Sequence, residues 1–429
     1  MSVAALLKNR YVSYEGLFTG TMYVLVVVTF LNQSILQVDI GFFTLFLYRL
    51  VLMVAAFFFV VTLAKEKKLA DYWDQVNAKG VLLFLMLWIG YGVVSLLWAR
   101  SFMDGIKYLF LLGLGILFVF LAVFTFTKVT RLYGFYAIWM IMTIILLMVG
   151  LINHYGHIQL PTSTLYGASE HKLGYPTAVF YNQNDFATFL TISFFFYLAA
   201  AKNSKHMWIK TSCLFLGGLC IYIISLTESR ASLLAVVVGL AGYTFILLPA
   251  LYKKVIIGVG LVGLGLALVM FVNMPASGDD FDSSSSNVVR VNLLKTTFHY
   301  VLDTFGFGVG VGNLPFYLEH EPVYDTNAVF EVHNWLAEII GNFGVLVLLG
   351  YLTMYGYLFL SLYKIYRERE QHRALFEALM TALIAFLVAS ISPSSVSNLY
   401  FHWVFLGFVI ATVSVFKMKE QQQIHDKPY

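Results

Sequence analysis

Long apolar segments follow one another along almost the whole chain, from near residue 20 to near residue 416. Each runs for about 17 to 25 residues, the length that an α-helix needs to cross a bilayer, and lacks the strict alternation of a barrel strand. Because only helices and closed barrels satisfy their backbone groups in lipid, these segments predict membrane-spanning helices. The predicted spans cover residues 18–36, 41–64, 80–99, 106–126, 132–152, 179–201, 209–226, 231–249, 254–273, 334–362, 374–391 and 399–416.

The composition favours the same interpretation. Hydrophobic residues make up 60% of the chain and charged residues 12%, whereas a soluble domain carries about 25% charged residues. A water-soluble globule is therefore excluded, and the spacing of the spans leaves no room for a separate soluble domain. We predict an all-α polytopic membrane protein of about 12 transmembrane helices, formed by residues 1–429 as a single bundle.

The basic residues predict the orientation of this bundle. Most of the 27 lysines and arginines fall in alternate connections, beginning with the N-terminal one. Positively charged short loops stay on the cytoplasmic side, so both termini of this multi-pass membrane protein are predicted to be cytoplasmic. The net charge of +4 then reflects membrane topology, and we expect membrane lipids but no nucleic acid as partners.

Two predicted extracytoplasmic loops are much longer than the others, at residues 153–178 and 274–333. The second and larger loop contains a pattern that is typical of an amphipathic helix lying along the membrane interface, since its apolar residues recur at steps of three and four. These apolar residues are Val291, Leu294, Phe298, Val301 and Phe305. The glycine run that follows has neither dinucleotide-binding nor P-loop spacing, so a loop of close backbone approach is the plainer interpretation.

A histidine, an amide and a carboxylate stand at the outer mouth of the tenth predicted span: His333, Asn334 and Glu338. Asn334 and Glu338 are four residues apart and share a helix face. A histidine gains or loses a proton near neutral pH, as a general base for a hydroxyl nucleophile must. His333 is therefore a candidate catalytic residue, with an ordinary interfacial histidine as the alternative.

Polar residues of three other segments are predicted to converge on the same face. Ser229 and Arg230 form the hinge between the seventh and eighth spans, Asn184 opens the sixth span, and Arg290 lies on the predicted amphipathic helix. The guanidinium fork matches phosphate oxygens, so Arg230 and Arg290 are candidates to hold a diphosphate. For each arginine the alternative is a lipid headgroup anchor.

The remaining candidates are weaker. Arg49 lies inside the second predicted span, about 12 Å from its outer end, and must pair or face a cavity, with a functional and a structural role both open. Asp280 and Asp282 have the spacing of a metal-binding motif but stand in a Ser-rich tether, and His154 and His157 lack helical spacing. We therefore predict no metal site and no cofactor.

Four of these motifs together resemble the O-antigen ligase and Wzy-type polysaccharide polymerase family. They are the Asn-rich span opening at 180–187, the hinge at 229–232, the glycine run at 306–313 and the pair at 333–334. Their order is more specific than any one motif, and the layout of nearly the whole chain agrees.

The resemblance implies a GT-C-like, metal-independent and inverting glycosyltransferase on the extracytoplasmic face. Its donor would be an undecaprenyl-diphosphate-linked glycan and its acceptor a glycan or a lipid. By position, Arg230 and Arg290 would hold the donor diphosphate and His333 would deprotonate or orient the acceptor hydroxyl. Polymerisation of repeat units is preferred, and ligation of finished glycan to a lipid or protein acceptor is the alternative.

A transporter or flippase for lipid-linked saccharide is the alternative from another class of protein. Transporters of this kind commonly have internal repeats and ionisable groups near the membrane midplane. The chain has no convincing repeat, and Arg49 is nearly alone as a charge deep in a predicted span. The clustering of charged groups on one face favours a transferase.

Overall fold

The structure is a computed structural model that describes residues 14–34, 37–39, 41, 44–65, 69–249, 251–255 and 286–425. In chain order the helices are α1 (Tyr14–Thr29), α2 (Leu47–Lys65), α3 (Leu69–Asp74), α4 (Lys79–Ser95), α5 (Phe102–Thr125), α6 (Val129–Gly156), α7 (Glu170–Leu173), α8 (Gln183–Asn203), α9 (Met207–Leu226), α10 (Arg230–Leu247), α11 (Ser286–Asp303), α12 (Leu314–His320), α13 (Trp335–Glu368), α14 (Arg373–Ala389) and α15 (Tyr400–His425). A 3₁₀ turn spans Asn32–Ser34. Two strands of two residues, β1 (Val38–Asp39) and β2 (Thr44–Leu45), pair in antiparallel register.

The helices confirm the prediction of an all-α polytopic membrane protein. Among the described residues, eight helices are long and apolar enough to cross a membrane: α2, α5, α6, α8, α9, α10, α13 and α15. Shorter helices, α1, α4 and α14, lie on three further predicted spans. All but the first two residues of the ninth predicted span, 254–273, lie outside the described residues, so the count of twelve stays a prediction.

Helices α8 and α15 form the centre of the bundle. Their apolar windows are 83% and 89% buried, against 28% for α2 and α9. Aromatic side chains fill the space around α8, where Trp139 of α6 stacks on Phe189 and Phe196 at ring distances of 5.7 and 5.1 Å. Helices that are apolar on every face are the ones that can occupy such a core.

Helix α13 kinks at Gly344, where the segment after α11 packs against its backbone. Gly344 has φ +80°, and a Cβ atom there would lie 2.1 Å from the Gly306 carbonyl oxygen. Val309 N donates to the Gly341 carbonyl at 2.8 Å across the same contact. The glycine run is thus a place of close backbone approach, where larger residues would collide.

Helix α11 occupies part of the predicted loop 274–333. One side packs into a small core through Val289 and Leu293. The opposite side exposes Phe298, Leu302 and the following Phe305, the last two at 76% and 91%. An exposed apolar face beside membrane-spanning helices is the arrangement expected of an interfacial helix.

Candidate functional site

The segment between α14 and α15 brings three of the predicted site residues together at Ser392. The Ser392 hydroxyl donates to the Asn184 side-chain oxygen at 2.9 Å and lies 2.8 Å from the Ser229 hydroxyl. The Ser392 carbonyl oxygen lies 3.4 Å from His333 Nδ1. Residues that are 59 to 208 positions away from Ser392 in sequence therefore meet at this serine, which the sequence analysis did not single out.

Each of these residues belongs to the start of a helix. Asn184 lies in the first turn of α8, Ser229 is the N-cap of α10, and His333 stands two residues before α13. Helix N-termini carry unpaired backbone N–H groups and a partial positive charge, and both favour polar side chains and anions nearby. The convergence of three N-termini makes this end of the bundle suited to an anionic ligand.

His333 has a left-handed backbone, with φ +49°. This conformation is uncommon for a residue with a side chain and is typical of functional sites. It turns the chain into Asn334, whose side-chain oxygen accepts from the backbone N–H groups of Leu336 and Ala337 at 3.1 and 3.2 Å. Asn334 therefore acts as the N-cap of α13, a role that fixes the position of its neighbour His333.

The surroundings of His333 favour its neutral form. Burial lowers the pKa of His333 below its usual value of 6.5, and the positive charge of Arg290 lowers it further, while Glu331 and the carbonyls of Ser392 and Pro393 oppose this. A carbonyl oxygen can only accept, so His333 Nδ1 must carry the proton in its contact with Ser392. The Nε2 lone pair is then available to take a proton.

The two predicted arginines belong to the same region, because Arg290 acts electrostatically on His333 and Arg230 follows Ser229, which contacts Ser392. Arg290 of α11 is half-buried, and burial lowers its pKa. Arg230, the first residue of α10, is exposed. Neither forms an ion pair within the part of the chain that the structure describes, whereas Arg100 pairs with Glu321. Unpaired guanidinium groups near a helix N-terminus are well suited to hold phosphate oxygens.

Glu338 fixes the segment that carries Ser392. Its buried carboxylate accepts hydrogen bonds from the Tyr108 hydroxyl and the Ser395 hydroxyl, both at 2.7 Å, and from Val396 N at 3.2 Å. All three donors are neutral, and together they tie α5 and the segment after α14 to α13. Glu338 thus positions the polar segment between α14 and α15.

Arg49 faces a polar hollow of about 350 Å³ that Ser394 and Ser395 of this segment also line. Its Nε and one Nη lie 3.3 and 3.1 Å from the Tyr400 hydroxyl, another Nη donates to the Thr44 carbonyl, and its guanidinium lies 4.8 Å from the centre of the Phe46 ring. Arg49 is therefore paired and also faces a cavity, as a charged residue within a membrane span requires.

A second hollow of about 160 Å³ adjoins the first. Five residues line both: Leu111, Glu331, Ser394, Ser395 and Asn398. We refer to the two hollows together as the groove. His333, Ser392, Arg230 and Arg290 do not line it, whereas Val332, next to His333 in the chain, and Ser394, two residues after Ser392, do.

Several residues of this region were missed by the sequence analysis: Asp185, Glu331, Ser392 and Asn398. A signal existed for Ser392 and Asn398, namely the run of serines between two apolar spans at 390–397. A polar run of this length is unusual for a connection that has only to join two helices. No group of three metal-ligating side chains occurs among the described residues, and the Asp280 and Asp282 pair lies outside them.

Comparison with known proteins adds independent information. Residues 215–352 match the profile of a family described as O-Antigen ligase. The chain is also 46% identical to the teichuronic acid biosynthesis protein TuaE of Bacillus subtilis (strain 168), over 97% of this chain and 88% of that protein. This likeness confirms the resemblance that the motifs indicated. The chain belongs to the O-antigen ligase and Wzy-type polymerase family.

Proposed function

We propose that the protein is a membrane glycosyltransferase that polymerises undecaprenyl-diphosphate-linked repeat units of a cell-surface polysaccharide. The observation that carries the proposal is the contact of His333 with Ser392, which also contacts Ser229 next to Arg230, together with the positive charge of Arg290 acting on His333. A base that is neutral near pH 7 and two fixed cations are the groups that transfer from a diphosphate carrier needs. The name of the similar TuaE protein suggests a polysaccharide of the teichuronic acid type.

In the proposed reaction the acceptor hydroxyl oxygen attacks the anomeric carbon of the donor sugar while the bond from that carbon to the diphosphate oxygen breaks. His333 Nε2 takes the hydroxyl proton, and the electron pair of the broken bond leaves with undecaprenyl diphosphate. Arg230 and Arg290 stabilise the charge that develops on the leaving group. A single in-line attack inverts the configuration at the sugar carbon, and the step needs no metal ion and no cofactor.

The orientation belongs to the same proposal. Lysines and arginines are concentrated in alternate connections, which supports cytoplasmic termini, twelve spans with a GT-C-like layout, and an active site on the extracytoplasmic face of the plasma membrane. Asn184, Ser229, Asn334 and Glu338 then support the site from neighbouring helices.

Ligation is the second candidate function, because the matching family is described as O-Antigen ligase. A ligase transfers finished glycan to a different lipid or protein acceptor. The proposed roles of His333 and the arginines are the same in both reactions. A polymerase and a ligase are therefore distinguished by their products and not by the residues of the site.

The lipid-linked glycans of cells that lack the protein distinguish these functions, with the restored wild-type gene as control. Single repeats on undecaprenyl diphosphate in the outer leaflet are the result expected for a polymerase. Full-length lipid-linked polymer would instead indicate a ligase. Single repeats trapped in the inner leaflet would contradict both and indicate a flippase.

A further inference from the structure

The groove holds polar side chains for which the described residues provide no hydrogen-bond partner. Four of them, Gln33, Glu331, Ser394 and Asn398, form no side-chain hydrogen bond within the described residues. A fifth, Thr162, has a buried hydroxyl oxygen without a partner. Buried polar groups are usually satisfied, and an orphan hydroxyl in a cleft points to a ligand or water that completes it. The groove therefore presents hydrogen-bonding groups that the described part of the chain leaves without a partner.

The groove is lined by ionisable groups of both signs. Two cations, Arg49 and Lys107, lie among four acidic side chains, those of Asp104, Asp185, Glu331 and Glu338. Lys107 lies 3.7 Å from Asp104, and this mixture is less suited to a diphosphate than the region of Arg230 and Arg290. Carboxylate, amide and hydroxyl groups are instead suited to the hydroxyls of a sugar.

The shape of the groove fits a chain of sugar rings. Its two hollows, of about 350 and 160 Å³, follow one another and share five lining residues. Tyr181 lines the larger hollow and is 60% exposed, which offers an aromatic face for the apolar side of a ring. An extended polar groove of this kind can hold more than one sugar.

The groove also opens beside the proposed base. Glu331, which lines both hollows, precedes His333 by two residues, and Ser394 follows Ser392 by two. Val332, the residue before His333, also lines the smaller hollow. A saccharide in the groove would therefore lie close to the segments that carry His333 and Ser392, as an acceptor must lie close to its base.

We infer that the groove is the binding site of the acceptor saccharide, which Asn398, Glu331 and Thr162 recognise through its hydroxyls. The inference rests on the proposed function, because it assigns one of the two substrates of that reaction. It predicts that changes in the groove weaken acceptor binding and leave the donor diphosphate contacts intact.

The test uses the full chain in lipid nanodiscs and, as the probe, the lipid-free repeat oligosaccharide released from the cells' own lipid-linked repeats by mild acid. This oligosaccharide has no diphosphate, so it can act only as an acceptor. Equilibrium binding of the labelled oligosaccharide is measured for the wild type, Asn398→Ala and Thr162→Val. We expect each change to weaken binding about fivefold, the effect of one lost hydrogen bond.

Asn292→Ala is the matched control, because this amide donates to the Asp325 carbonyl away from the groove; its binding should equal that of the wild type. Glu331→Gln provides a third variant if another folds poorly, as judged by thermal melting. Equal binding by the wild type and the groove variants, or no binding by the wild type, would overturn the inference. The proposed function is judged separately by transfer from the lipid-linked donor, which does not enter the binding assay.

Discussion

Two buried carboxylates, Glu338 and Glu377, lie toward opposite ends of the bundle and have different surroundings. Glu377 accepts from Lys202 Nζ, Asn203 Nδ2 and the Tyr243 hydroxyl, all at 2.7 Å, and from the Tyr366 hydroxyl at 3.2 Å. These donors join α8, α10, α13 and α14. At this end the donors around the carboxylate all bond to Glu377 and so hold neighbouring helices together.

At the other end, Glu338 is also a buried and hydrogen-bonded carboxylate, but polar and charged side chains in its region have no such partners. Three donors satisfy Glu338 itself, but Arg230, Arg290 and Asn398 nearby form no ion pair or side-chain hydrogen bond within the described chain. His333 and Glu228 also have positive φ angles of 49° and 57°. Strain and unsatisfied charge reduce stability and persist where binding or catalysis needs them. We therefore expect the contacts around Glu377 to serve the stability of the bundle and the groups around His333 to serve binding and catalysis.

Removal of the proposed base should have the largest effect on transfer. We expect His333→Ala to lower the turnover of glycan transfer at least 100-fold, the usual contribution of general base catalysis, while the protein still inserts and binds lipid-linked donor. The measurement is the length profile of product formed by purified protein. His299→Ala is the control, since this exposed histidine pairs only with Asp303 on α11. Retained transfer would remove His333 from the mechanism.

Loss of an arginine fork should have the next largest effect. Arg230→Lys keeps the charge but loses the bidentate geometry. We expect donor affinity to fall about tenfold, in line with the strength of charge-assisted hydrogen bonds. Binding of undecaprenyl diphosphate to protein in nanodiscs measures this directly, and an unchanged affinity would return Arg230 to the role of a headgroup anchor.

The pH dependence of turnover should show the effect of the positive charge of Arg290 on the pKa of His333. The pKa of His333 lies below 6.5 because of burial and Arg290, and the base must be neutral to accept a proton. Turnover at saturating donor should therefore fall on the acid side as pH drops through that lowered pKa. Arg290→Gln removes a charge that lowers the pKa, so the acid limb should move to higher pH. An unmoved limb would show that the two groups are not coupled.

A change at the opposite end should have the smallest effect on transfer. Glu377→Gln leaves Lys202 without its counterion, and we expect a loss of about 1 to 3 kcal/mol in the free energy of unfolding. Thermal melting in detergent measures the loss, with the exposed Glu319→Gln as control. Turnover well below the melting temperature should be unchanged. A loss of turnover comparable to that of His333→Ala would abolish the distinction between the two ends.

The fold was largely predictable because a segment that crosses lipid must satisfy its own backbone hydrogen bonds, as an α-helix does. Apolar length alone located helices at all predicted spans that the structure describes, although α1, α4 and α14, with 16, 17 and 17 residues, are shorter than the other eight. The kink at Gly344 was not predictable, because it depends on the backbone of Gly306 approaching from 38 residues away.

The site was predictable only in part, because its residues are joined by contacts between distant segments. Position at helix starts pointed to Asn184, Ser229 and His333, and these do meet at Ser392. The serine itself carries no motif, and its role follows from the packing of α14 and α15. Sequence spacing likewise placed Asn334 and Glu338 on one face but did not show that they cap a helix and anchor a loop.

The most direct test of the central claim is the incubation of purified protein in nanodiscs with a single substrate, the undecaprenyl-diphosphate-linked repeat. We predict a ladder of longer lipid-linked products, with one undecaprenyl diphosphate released for each bond formed, and no ladder from His333→Ala. A wild-type protein that forms no ladder from this substrate, or an equal ladder from His333→Ala, would contradict the account.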